Sequence, residues 1–257
     1  MHNILAIWQR EMKSYFVSPI AYVVLTVFLF LFGLFFFGNL AEVVQYTTMM
    51  QAQFGQSGQP IDVPAYVIQQ LMRTTSLILL FLIPMLTMGL FSEEKKRGTI
   101  ELLLTTPVGN FQALMGKYLA SLTFLVILLA AGAVTLSPLF IYGQPDWKPM
   151  LAAFLGMLLY GAALLALGLF VSTLTENQIV AVVITFGLGL MLWLVSVFAS
   201  SATGATRDVI NYLSVISHLD DFIKGVIDTS HIIYYLTFAF VGLFLAYRSL
   251  ESMRWKG

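Results

Sequence analysis

Residues 20–40 read IAYVVLTVFLFLFGLFFFGNL, a run of 21 residues without a charge. At about 1.5 Å per residue a helix of that length reaches about 30 Å, the thickness of a bilayer's hydrocarbon core. A helix that buries only one face repeats its apolar positions every three or four residues and leaves the others polar. This run has no polar face, so it reads as a membrane span. It is too long for a signal-peptide core, follows an amphipathic segment and lacks a nearby small-residue cleavage site.

Working outward, similar apolar stretches occupy residues 74–91, 111–142, 150–171, 179–199 and 232–247, making six spans in one domain over residues 1–257. Composition agrees: 59% of the residues are hydrophobic, 10% are charged and the mean hydropathy is +0.87. Soluble domains carry about 25% charged residues. The fold class is therefore an all-α integral membrane protein in contact with the lipid bilayer. Thirteen basic and thirteen acidic residues cancel, so no net charge points to nucleic acid. With no cysteine, disulfides, thiol nucleophiles and thiolate metal sites are excluded.

Before the first span, Ile4, Leu5, Trp8, Met12, Tyr15 and Phe16 share one helical face, and Asn3, Arg10, Lys13 and Ser14 share the other. Such a helix is expected to lie in the membrane interface, with Trp8, Arg10 and Lys13 as its anchors. Residues 41–64, rich in Gln, Gly and Thr and without Lys or Arg, read as an outer loop. Residues 66–73 read as an interfacial turn that lets Arg73 reach water, Pro84 as a kink in the second span, and Asn110 as the cap of the third. In the fourth span Ala152 and Gly156, then Ala162 and Ala166, recur at a spacing that permits close helix contact. Between the last two spans Val209, Leu213, Ile216, Leu219, Ile223 and Val226 mark short outer amphipathic helices.

Placing the N-terminus, residues 92–110 with Lys117 just past them, the turn near residue 176 and the C-terminus on one side gathers nine of the thirteen basic residues there. The positive-inside rule makes that side cytoplasmic, with both termini in it.

Residues 91–108 read FSEEKKRGTIELLLTTPV. Glu93 and Arg97, then Arg97 and Glu101, stand four apart and can pair along a short helix. Such a helix either passes a rigid-body push between subunits or is only a solvated loop that obeys the charge rule. Thr175, Glu176, Asn177 and Gln178 interrupt the apolar sequence in a second turn, where Thr175 or Asn177 can cap the fifth span.

An internal ATPase site is excluded by its own geometry. The nearest approach to a phosphate-binding loop, Gly109 to Tyr118, has six residues between its glycines instead of four, and Tyr118 replaces the magnesium-binding hydroxyl. His218, Asp221, Asp228 and His231 are residue types that bind metal, yet Asp228 equally caps the sixth span and no metal ligand is assigned. The span cores are read as free of ionisable groups, which weighs against an ion-coupled secondary transporter.

Three further stretches, GKYLA at 116–120, GLFVSTLTENQIVA at 168–181 and the pair KGVIDTSHIIYYLTF and YRSLES within 224–252, join PMLTMGLFSEEKKRGTIELLLTTPV at 84–108. Together they resemble the permeases of ABC-2-type transporters, most closely the gliding-motility-associated subfamily. The resemblance implies the exporter-type fold of that family: an interfacial helix, a cytoplasmic coupling helix, six spans and outer amphipathic helices. It implies a bacterial cytoplasmic membrane protein and a second permease chain, identical or sister. It further implies two copies of a separate cytoplasmic ATPase that supplies ATP and magnesium, with no cofactor in this chain. Glu93, Glu94, Lys95, Lys96, Arg97, Gly98, Thr99 and Glu101 match the coupling region, and Thr175 to Gln178 a second cytoplasmic contact. An extracytoplasmic auxiliary protein on the long outer loop, and a force-transmitting subunit without flux, remain open alternatives.

Overall fold

The computed structural model describes residues 2–54, 62–99, 109–143, 145–201, 210 and 212–254. Its helices are α1 (His2–Val17), α2 (Pro19–Phe54), α3 (Val63–Thr87), α4 (Ser92–Lys96) and α5 (Asn110–Thr135). They continue with α6 (Ser137–Gly143), α7 (Trp147–Leu174), α8 (Gln178–Ser201), α9 (Val215–Ile223) and α10 (Thr229–Arg254). Six of them, α2, α3, α5, α7, α8 and α10, are long and apolar enough to cross a membrane.

The starts follow local chemistry. Asp62 accepts a hydrogen bond from the Ala65 amide at 3.1 Å and opens α3, Asp146 does so from Lys148 at 3.1 Å for α7, and Ser214 from Ser217 at 3.2 Å for α9. Each side chain satisfies an amide that has no partner within its own first turn. Asn110 does not act as a cap: it is the first residue of α5, and Gly109 holds the cap position without a side-chain bond.

Several boundaries differ from expectation. Residues 41–54 are not loop but the last turns of α2, because no Gly or Pro follows Gly38 there and the Thr47 hydroxyl bonds back to the Val43 and Val44 carbonyls. Residues 66–73 are not a separate turn: α3 is continuous from Val63, and Arg73 reaches Asp220 before α9 ends, at 3.1 Å. The third span divides at Leu136, since Pro138 has no amide to continue the ladder, and the last span runs on to Arg254. Of the expected apolar stripe Leu219 and Ile223 are buried and Ile216 packs on the core, Leu213 and Val226 are exposed and Val209 lies outside the described residues; Val215, His218 and Phe222 complete the buried face of α9, which faces protein.

At the centre stands α7, which touches α3, α5, α8, α9 and α10. Helices in lipid gain nothing from hiding apolar surface from each other, so close packing must hold them, and small residues make that approach available. Gly156 receives Phe222 of α9 so closely that a β-carbon there would lie 2.5 Å from the Phe222 Cβ. Gly161 likewise receives Leu125 of α5, Gly168 receives Thr87 of α3, and Ala166 lies against Gly242 of α10. Helix α2 packs through Phe28, Phe32 and Phe36, one turn apart, and Gly132 of α5 lies beneath the first two.

Candidate functional site: the charged end of the bundle

One end of the bundle collects α1, α4, the turn between α7 and α8, and the end of α10. There Leu250 of α10 packs with Phe91, Leu114 and Leu169 in a small apolar cluster of its own.

Helix α4 is five residues long and could not persist alone. It is held from three directions. Ser172 of α7 places its Oγ 3.0 Å from the Phe91 amide and 3.1 Å from the Ser92 amide, accepting both. Glu93 and Glu94 fall in its first turn and Lys95 and Lys96 in its last, the order that a helix dipole favours. Gly98 then ends it at φ 68°, with its amide on the Lys95 carbonyl and the Thr99 amide on the Glu94 carbonyl, both at 3.0 Å. That pair of bonds closes the last orphan carbonyls and requires a left-handed residue, which glycine adopts without strain.

The third hold is a buried cation. Lys117, the eighth residue of α5, has a side chain only 4% exposed. Its Nζ lies 3.0 Å from Oε1 of Glu94 and 3.2 Å from Oε1 of Glu11, and 5.2 Å from the centre of the Phe91 ring. Arg10 completes the set, 3.2 Å from Glu11 and 3.4 Å from Glu94. Two cations and two carboxylates from α1, α4 and α5 thus neutralise one another, with Lys117 buried and Arg10 at the surface. Lys117 stands two turns into the third span, at its charged end rather than in its core, and it is tolerated because both of its carboxylates come with it.

Helix α1 runs alongside the first turns of α5. Asn3 bonds Gln112 at 3.0 Å, Ile7 covers Gly116, the Trp8 indole donates to the Thr123 hydroxyl at 3.0 Å, and Tyr15 meets Phe124 with ring centres 5.5 Å apart. Of its expected anchors, Trp8 therefore binds protein, Arg10 joins the ion cluster and Lys13 is exposed. Leu5, Phe16 and Val17 form the apolar surface that α1 leaves uncovered.

The two expected contact segments meet. Thr175 leaves α7 in an extended conformation and accepts the Asn177 amide at 3.1 Å, and Asn177 accepts the Ile179 amide at 3.0 Å to start α8. Glu176 and Asn177 are exposed, and Glu176 faces Lys95, opposing the fall that burial causes in the Lys95 pKa. Gln178 and Glu93 both reach over Gly89. Glu93 also pairs with Arg97, as the spacing predicts, while Lys96, Arg97, Gly98 and Thr99 are exposed. Glu101, and with it the expected pairing to Arg97, lies outside the described residues. Behind α4 a cleft of about 370 Å³ opens among Glu11, Ser14, Tyr15, Met85, Glu93 and Gln178.

The sequence reasoning missed Glu11, Lys117 and Ser172. A lysine two turns into a long apolar helix was the available signal, since a charge in such a place demands a partner.

Metal-type side chains at the opposite end are otherwise engaged. Asp228 accepts the Ser230 amide at 2.8 Å at the start of α10, and the two histidines bond each other. Among the described residues no three such side chains are grouped so as to hold a metal ion.

The fold is a multi-pass helical bundle of the membrane-embedded kind, with a short charged helix fastened to α1, α5 and α7 at one end. The sequence profile of the family described as ABC-2 family transporter protein matches residues 5–250, and the chain belongs to that family. No curated protein matches the sequence.

Proposed function

We propose that the chain is the permease subunit of an ATP-driven transporter, with the α4 end as the docking surface for a separate cytoplasmic ATPase. The observation that carries this is mechanical: α4 presents Lys96, Arg97 and Thr99 to solvent while Ser172, Lys117 and Gly98 fix it to α7, α5 and its own cap. A push on α4 therefore moves helices rather than a loop, which a solvated connection would not require. Glu176 and Asn177 beside it extend the same surface.

Orientation is supported by charge. Arg10, Lys13, Lys95, Lys96, Arg97, Lys117 and Arg248 lie at the α4 end, against Arg73, Lys148 and Lys224 at the other. The positive-inside rule then puts α4 and both ends of the chain in the cytoplasm of a bacterial inner membrane. Magnesium and ATP act in the partner, present in two copies, and a second permease chain completes a path whose opening is a two-state rigid-body motion. Substrate moves outward or within the membrane along that path.

Replacing Lys96 and Arg97 together by Glu tests this in reconstituted complex. Stimulation of the partner's ATP hydrolysis and substrate movement should fall at least about tenfold while the permease remains folded, because exposed charges contribute little to stability. Unchanged coupling with unchanged partner binding would remove α4 from the docking surface.

A further inference from the structure

At the end opposite α4, His218 of α9 faces His231 of α10, with their Nδ1 atoms 2.7 Å apart. Nε2 of His218 lies 3.0 Å from the Tyr212 carbonyl oxygen, and Nε2 of His231 lies 2.9 Å from Oδ2 of Asp221. A backbone carbonyl can only accept, so Nε2 of His218 carries hydrogen. A carboxylate paired with Lys224 at 3.6 Å also accepts, so Nε2 of His231 carries hydrogen as well. One hydrogen must then fill the gap between the Nδ1 atoms. Three hydrogens on four ring nitrogens give the pair a single positive charge.

We propose that His218 and His231 form a proton-binding site that fastens α9 to α10 only while one proton bridges them. Without that proton two lone pairs oppose each other at hydrogen-bond distance. With a second, two N–H groups do so. Either change breaks that contact and leaves α9 held by the Tyr235 hydroxyl, which donates to the Val215 carbonyl at 2.7 Å, by Phe222 on Gly156 and by the Arg73–Asp220 pair.

The surroundings favour the singly charged state. On and beside α9 stand Asp220, Asp221 and Lys224, and Tyr212 comes from the segment before it. From α10 come Tyr234, stacked on His218 with centres 3.9 Å apart, and Tyr235, with Asp228 just ahead of them. Arg73 belongs to α3, Tyr160 to α7, and α8 contributes no ionisable side chain. Asp221 holds the first proton, whereas burial of His218 and the neighbouring charge on His231 resist the second. The pair therefore titrates in two coupled steps, and burial depresses the one that belongs to His218.

The lower step is depressed, so its contribution is complete above about pH 6.5 and is lost as pH falls through it. Fastening is greatest between the two steps.

The chain has three histidines, and His2→Asn leaves only the pair for nitrogen-15 histidine labelling in detergent or nanodiscs. The expected result is two titration steps separated by more than about one pH unit, with nitrogen–nitrogen coupling across the bridge between them. Independent titration of both rings near pH 6.5 would overturn the proposal. So would a shift of both signals on adding one equivalent of zinc chloride per chain, which would make the pair a metal site. Thermal unfolding against pH gives a second readout: a maximum between the two steps in the parent and a flat profile in His231→Gln. A maximum that persists in His231→Gln would also overturn it.

Discussion

Replacing Lys117 by Met tests whether the ion cluster holds α1 and α4 on the bundle. Nζ lies 3.0 Å from Glu94 and 3.2 Å from Glu11, which corresponds to roughly 5 kcal/mol of attraction per pair at an effective dielectric of about 20. Most of that offsets the cost of taking the charges out of water, so the net value of the cluster is small. Removing the cation alone is different, because Glu94 and Glu11, with side chains 16% and 13% exposed, are then left facing each other. Breaking a buried pair in this way costs about 3–5 kcal/mol. Arg10 remains near both carboxylates, but its side chain is 66% exposed, so it compensates only in part. We expect a loss of about 3 kcal/mol in reversible unfolding by a denaturing detergent. Converting Glu94 and Glu11 to Gln in the same chain removes the stranded charge and should bring the loss to within about 1 kcal/mol of the parent. A loss below about 1 kcal/mol for Lys117→Met alone, or strict additivity of the three changes, would refute the cluster as a fastening.

The remaining predictions concern packing and caps. Gly156→Ala puts a β-carbon 2.5 Å from the Phe222 Cβ and should lower thermal stability, whereas Gly187→Ala, with nothing within 4 Å, should leave it unchanged or raise it by up to about 1 kcal/mol through helix propensity. Melting of the two purified variants compares them directly. Gly98→Ala meets no neighbour, so its cost is that of a left-handed backbone alone, about 1 kcal/mol; faster amide hydrogen exchange at Gly98 and Thr99 should report it. Ser172→Ala removes the acceptor of two buried amides, and their exchange should accelerate by about tenfold or more.

Much of the bundle was legible because lipid imposes long uncharged runs, as in residues 20–40, and because Asn177 announces the start of the fifth span. The ends were less legible. Nothing in residues 41–54 stops a helix, yet their polarity reads as loop. Which face of each span is buried was also hidden, since a helix that is apolar all round carries no phase: Phe28, Phe32 and Phe36 look no different in sequence from exposed Phe30 and Phe37. At the candidate site the Glu93–Arg97 pair followed from spacing. The Lys117 cluster did not, because Glu11, Glu94 and Lys117 are 83 and 23 residues apart in turn and only the packing of α1 along α5 joins them.

The claim that α4 and the turn beside it receive an ATPase is tested most directly by site-specific cross-linking, which a chain without cysteine permits cleanly. Single cysteines replace exposed Lys96, Glu176 or, at the opposite end, Trp147, and a thiol-reactive photo-cross-linker is activated in native membranes. Positions 96 and 176 should each capture an ABC-type ATPase subunit, and position 147 should not. Capture at 147 alone, or at none of the three while the transporter complex still assembles, would contradict the account.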